Sequence, residues 1–116
     1  MKIGIPYWHG RVSPVFDVAG HILIADIENG RELRRRNKRL IQLDPLARAK
    51  NVSQCGVEVL ICGVLTWPLE IALTASGVQI IPHICGQVDD VIQAFLNGRL
   101  NDRAFLMPGC FGQYRF

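Results

Sequence analysis

Three short apolar runs, each emptying into a loop of glycine and polar or metal-capable residues, constrain this chain more than any other feature. They are Lys2-Ile3-Gly4-Ile5-Pro6-Tyr7, Val57-Glu58-Val59-Leu60-Ile61-Cys62 and Val78-Gln79-Ile80-Ile81-Pro82-His83. Each reads as a strand, and residues 57–62 are nearly all apolar, as a strand covered on both faces should be. The loops that follow are Trp8-His9-Gly10-Arg11, Gly63, and Ile84-Cys85-Gly86. If the strands run parallel, these loops meet on one edge of one sheet, where α/β proteins place their ligands. That edge gathers histidine, cysteine, arginine and backbone N–H groups.

The segments between complete an α/β order. Arg11-Val12-Ser13-Pro14 reads as a loop, because a residue before proline is pushed out of the helical region. Residues 21–27 form a second strand, and Glu28-Asn29-Gly30 turns it, since Asn-Gly readily takes positive φ. Residues 31–39 return antiparallel and are polar enough for a sheet edge. Asp44-Pro45 opens the first helix with an N-cap carboxylate and a proline at its first position. Leu46, Ala49 and Val52 form its apolar stripe, and Gly56 ends it. A second helix runs from near Thr66-Trp67-Pro68 to Gly77. In the third, Val88, Val91, Ile92, Phe95 and Leu96 repeat with helical spacing, and Gly98 closes it. Right-handed crossovers then predict a five-stranded mixed sheet of order 3-2-1-4-5 flanked by helices. Residues 1–103 make one domain; residues 104–116, without periodicity, make a cysteine-containing tail.

A chain of 116 residues holds one core. With 49% hydrophobic and 20% charged residues it reads as an ordinary globular protein. No apolar run approaches the roughly 20 residues that span a bilayer, and no leader precedes the first strand. A cytoplasmic location without a membrane partner is therefore expected. Cysteines 55, 62, 85 and 110 contain no CxxC or CxxH pair, which argues against a zinc ribbon or a thioredoxin motif. In the cytoplasm they stay as thiols. The net charge of +3 is concentrated in Arg31, Arg34, Arg35, Arg36, Lys38 and Arg39. Such a strip suits an anionic partner, but its simplest reading is an edge strand guarded by charge.

Cluster iron and copper prefer thiolate ligands and then imidazole. Cys85 follows the fifth strand and precedes a helix whose N-terminus favours a thiolate; otherwise it is a small residue in a tight turn. Cys110 sits in Met107-Pro108-Gly109-Cys110-Phe111-Gly112, where glycines allow close backbone approach to a ligand. Cys62 ends the fourth strand and points either to the edge or into the core, whereas Cys55 is a helix-end residue. His9 and His83 both reach the same cleft in this arrangement, and His21 starts a strand running the other way. Arg11 suits an anionic cluster or a carboxylated ligand. Residues 63–66 approach a helix N-terminus, a place that can hold an anion. Without GxxxxGK[ST] or GxGxxG, no nucleotide is expected.

The order of elements and several local motifs resemble the dinitrogenase iron-molybdenum cofactor biosynthesis family, the NifX/NafY-like domains also found at the C-terminus of NifB. The matching stretches are Lys2-Ile3-Gly4-Ile5-Pro6, Arg11-Val12-Ser13-Pro14-Val15-Phe16-Asp17, Asp26-Ile27-Glu28-Asn29-Gly30, Gly56-Val57-Glu58-Val59-Leu60-Ile61-Cys62-Gly63, Gly77-Val78-Gln79-Ile80-Ile81 and Ala94-Phe95-Leu96-Asn97-Gly98. They cover residues 1 to about 100 in family order. The resemblance implies a ribonuclease H-like fold, no catalysis, and binding of an iron-sulfur or iron-molybdenum-type cluster. On that model Arg11, Ser13, Phe16, Gly63 and Gly86 cradle the cluster, and Cys85, Cys110, Cys62, His9 and His83 are its candidate ligands. Cofactor-binding members often carry a histidine before the phenylalanine of Ser-Pro-x-Phe; here that position is Val15.

Rival classes carry less. A two-metal nuclease needs clustered carboxylates, but Asp17, Asp26, Glu28, Asp89 and Asp90 are scattered. A nucleic-acid module using residues 31–39 would lack interleaved aromatics for base stacking. A protein-interaction or regulatory domain without metal is the remaining alternative. The expectation is a non-enzymatic cluster carrier whose site spans residues 8–16, 62–66 and 83–87, closed by the Cys110 tail. With few ligands per chain, the cluster would be shared across a homodimer or with a donor or client protein.

Overall fold

β1 (Lys2–Trp8) is the spine of a mixed sheet. Ile3 and Ile5 are fully buried on one face. On the other, Gly4 leaves room: a Cβ there would lie 3.0 Å from Ile22 and 3.1 Å from Val57. β3 (His21–Glu28) pairs antiparallel with one side of β1, and β5 (Val59–Ile61) pairs parallel with the other. β4 (Arg31–Arg39) continues the sheet beyond β3, and β6 (Gln79–Ile81) runs parallel beyond β5. The computed structural model describes residues 1–108.

The sheet corrects two expectations. Residues 11–12 are not loop but a short strand, β2 (Arg11–Val12), paired antiparallel with Tyr7 and Trp8 of β1. His9 at φ 50° and Gly10 at φ 76° make the two-residue turn between them, a geometry whose twist matches that of paired strands. The sheet therefore has six strands rather than five: with β2 attached to β1, its order is β4-β3-β1-β5-β6, and the extra strand changes the numbering of the expected five-member 3-2-1-4-5.

Alternation along the strands separates two apolar layers. Ile3, Ile5, Leu23, Val59 and Ile61 face Val88, Val91 and Ile92 of α3 (Val88–Leu96). Ile22, Ile24, Leu60 and Cys62 face α1 (Pro45–Gln54) and α2 (Trp67–Ala75) through Ala49, Val52, Leu69 and Leu73. α1 begins as expected, with Asp44 Oδ2 accepting from the Ala47 N–H at 3.0 Å. Its expected stripe is wrong in one residue. Leu46 is 73% exposed, and Arg48 is buried in its stead.

Residues beyond α3 return to the sheet. A 3₁₀ turn at Arg103–Phe105 leads to buried Leu106, which pairs with Ile84, and the Met107 N–H donates to His83 O at 2.9 Å. Among the described residues no helix is long and apolar enough to cross a membrane.

Candidate functional site

The loops at the C-terminal ends of β1, β5 and β6 do meet, and backbone hydrogen bonds stitch them into one rim. Val12 N–H donates to Gly86 O at 2.9 Å and Val88 N–H to Gly10 O at 2.9 Å, tying the first loop to the third. Phe16 N–H donates to Val64 O and Val64 N–H to Pro14 O, both at 2.8 Å, tying the first to the second. His83 N–H donates to Gly63 O at 3.0 Å and Ile84 N–H to Cys62 O at 2.9 Å, closing the ring. Backbone donors expected to face a ligand are thus spent on the rim itself.

On the α1/α2 side the rim is packed shut. Cys62 is fully buried, and burial pushes its thiol pKa up to about 12, so it is an inert core residue and not a ligand. Phe16 is fully buried as well; it faces the core beneath the Arg48 guanidinium, 5.5 Å from the ring centre, and cannot line a cofactor site. Arg48 lies there because its Nε donates to Gln42 O at 2.9 Å and its Nη1 to Ala19 O at 2.7 Å and Phe16 O at 3.2 Å. Burial lowers its pKa from the usual value. Ser13 is buried, with its N–H on Pro6 O at 2.8 Å. Gly63 is glycine for space: a Cβ would sit 2.4 Å from Pro14 O. The anion expected at the N-terminus of α2 is supplied by the chain. Asp17 accepts from the Thr66 N–H at 2.8 Å and from the Thr66 hydroxyl.

On the α3 side the rim is open. Arg11 and Gly86 line a groove of about 460 Å³ with Gln87, Asp90, Arg99 and Phe105. When the Gln87 amide nitrogen donates to Gly10 O at 3.3 Å, its oxygen accepts from Arg11 Nη1 at 3.2 Å, which holds the guanidinium at the groove mouth. Gly86, at φ 124°, takes a backbone conformation that side chains resist. Cys85 is half-buried; its N–H donates to Phe105 O at 2.8 Å and its Sγ to Leu106 O at 3.5 Å. It precedes α3 by three residues, outside that helix's first turn. His83, half-buried with φ 64°, sits where the second and third loops join. His9 is exposed on the β1–β2 turn, its ring 4.2 Å from that of Trp8 in an edge-to-face pair.

Among the described residues no three of His, Cys, Asp and Glu come together as a metal-holding group. Cys110 lies outside the described residues. Sequence reasoning placed Gln87 inside its site range without giving it a role, and missed Asp90, Arg99 and Phe105. Gln87 carried a local signal as the residue before an obvious helix and Asp90 as part of that helix's first turn; Arg99 and Phe105 reach the groove by the return of residues 99–105.

PH0822 superimposes with a TM-score of 0.83 over 96% of this chain and 99% of that one, at 17% identity. A candidate dinitrogenase from Methanocaldococcus jannaschii matches with a TM-score of 0.69 at 20% identity, covering 85% of this chain and 90% of its own. A candidate NifB protein from Thermotoga, assigned to the DUF35 family, matches with a TM-score of 0.67 at 25% identity, covering 84% and 89%. No family model and no curated protein matches the sequence. The chain thus has the mixed α/β fold of these small proteins, and nitrogenase-related names recur among its structural neighbours.

Proposed function

We propose that this protein binds or carries an iron-sulfur-type metallocluster, iron-molybdenum cofactor or a precursor of it, as a non-enzymatic step in metallocofactor biosynthesis. The reading extends to the fold, which we describe as ribonuclease H-like. The observation that carries it is the open half of the rim: Arg11 and Gly86 line its groove, and Cys85 and His83 lie half-buried on the loop that carries Gly86, which backbone bonds tie to its neighbours. Names of the Methanocaldococcus and Thermotoga neighbours support the same theme.

The cluster is cargo in this account. Cys85 would give a thiolate once its Sγ leaves the Leu106 carbonyl, His83 or His9 would give an imidazole, and Arg11 would balance negative charge on the cluster. Cys62 and Phe16 take no part, being core residues. Since the described residues assemble no three-ligand group, the remaining ligands come from Cys110, from a second copy, or from the donor or client protein. A cargo held by few ligands is also one that can be handed on.

The test is iron and sulfide content with the visible spectrum after anaerobic purification and iron-sulfur reconstitution, for wild type, Cys85→Ala and Cys110→Ala. Stoichiometric iron with a charge-transfer band, lost in Cys85→Ala, is the expected result. A wild-type protein that stays colourless and iron-free ends the cluster reading.

A further inference from the structure

The second feature without an assigned role is β4. It is the outer strand of the sheet, and residues 33–39 are all exposed. Its register with β3 shifts between Asp26 and Ile27, and beyond that irregularity residues 34–39 pair straight with residues 26–21. The Leu40 N–H donates to Gly20 O at 2.8 Å. Alternation along an antiparallel pair then directs the N–H and C=O groups of Lys38, Arg36 and Arg34 inward to β3. Those of Arg35, Asn37 and Arg39 face outward, unpaired by any strand among the described residues.

The side chains flanking this open ladder are not equivalent. Arg34 is tied to Asp26 at 2.7 Å, Arg35 to Glu32 at 2.7 Å and Asp89 at 2.6 Å, and Arg36 to Cys55 O at 3.2 Å. Arg31, Lys38 and Arg39 have no such partner among the described residues. Immediately beyond the strand, Ile41 and Leu43 are 72% and 67% exposed. A free ladder, free cations at Lys38 and Arg39, and exposed apolar side chains therefore follow one another along a single edge.

We infer that the outer edge of β4 is a docking strand for an extended acidic segment of a partner protein, which adds to the sheet by pairing with Arg35, Asn37 and Arg39. Backbone pairing supplies affinity without regard to sequence, and the side chains select. Lys38 and Arg39 select acidic residues, and Ile41 and Leu43 select an apolar one at the same end of the segment. A second copy of β4 is excluded, because its arginines would face these cations across the new ladder. Nucleic acid fits less well: the strand carries no aromatic to stack a base, and two of its five arginines, Arg34 and Arg35, are already paired with internal carboxylates. This inference does not depend on the cargo reading.

The experiment is an amide-shift and hydrogen-exchange titration of the full chain with a short peptide alternating glutamate and valine. Single-stranded RNA and phosphatidylserine vesicles serve as rival probes. The expected result is saturable peptide binding that weakens with salt and protects the amides of Arg35, Asn37 and Arg39. Asn37→Pro deletes one outward donor without breaking a bond to β3, and should weaken binding at least tenfold. If that variant does not fold, the Lys38→Glu/Arg39→Glu double variant carries the same expectation through charge alone. Absence of peptide binding, protection at other amides, unchanged affinity in the double variant, or preference for RNA or vesicles would each overturn the inference.

Discussion

Cys62-Gly63 and Cys85-Gly86 are the same dipeptide, each just past a strand of one parallel pair, yet they do different work. The first is sealed: Cys62 is fully buried and Gly63 lies against the Pro14 carbonyl. The second is open: Cys85 is half-buried, and Gly86 borders the groove with Arg11. The difference comes from what crosses above each pair. Residues 13–16 run directly over Gly63 and bond to Val64, whereas at Gly86 the first loop bonds through Val12, only side chains of Phe105 and Val91 lie near its α carbon, and a groove remains open beside it. A cysteine and a glycine at a strand end are therefore ambiguous until the neighbouring loop is placed.

The largest effect should come from the closed pair. Gly63→Ala drives a Cβ into two backbone carbonyls, 2.4 Å from Pro14 O and 2.7 Å from Ser13 O, neither of which can swing aside. A loss of about 3 kcal/mol in urea unfolding is expected. Gly86→Ala meets nothing nearer than 3.5 Å and suffers only from its positive φ, so about 1–2 kcal/mol is expected. Equal losses would erase the distinction drawn between the pairs.

Next comes pH. The thiol of Cys62 ionises near 9 in the unfolded chain and only at about 12 in the fold. Its contribution is complete below the unfolded value and is lost as pH rises between the two, at about 1.4 kcal/mol per unit. The stability difference between wild type and Cys62→Ala should therefore shrink above pH 9 and be flat below it. Thiol labelling sharpens the same contrast. Cys85 should react with an alkylating reagent in the native state, and Cys62 only at the rate of global unfolding.

The smallest effect lies far from the rim. Asp26 is held below the usual carboxylate range by hydrogen bonds from Arg34 and Lys2. Arg34 is well exposed and Lys2 partly so, and exposed ion pairs contribute little, so Asp26→Asn should lower stability only slightly, and less in high salt. Asp26 stabilises the fold above the unfolded carboxylate pKa, and that small contribution fades as pH drops below about 4.

How much of this was legible depends on period and length. The β3–β4 hairpin declares itself through an apolar run and a charged one joined by Asn29-Gly30, and α3 through a helical spacing that persists over nine residues. β2 has two residues, too few to show any period, so it read as loop. Arg48 was no part of the expected α1 stripe, since a charged side chain gives no sign of burial. Its burial depends on carbonyls of Phe16, Ala19 and Gln42, which only tertiary structure delivers. Phe16 was misplaced for the same reason: the family motif marks the loop, not the direction its ring takes. The groove depended on residues 99–105, whose return to the rim has no local signal.

The central place of β1 also bears on how the chain is made. Its β3 edge is satisfied by residues 21–28, close in sequence, whereas its other edge waits for residues 59–61. A nascent chain ending before residue 57 thus displays an unpaired strand carrying Ile3 and Ile5, the kind of edge on which aggregates nucleate. The last two parallel strands are in that sense the protein's own protection, and their arrival is the moment at which synthesis becomes safe.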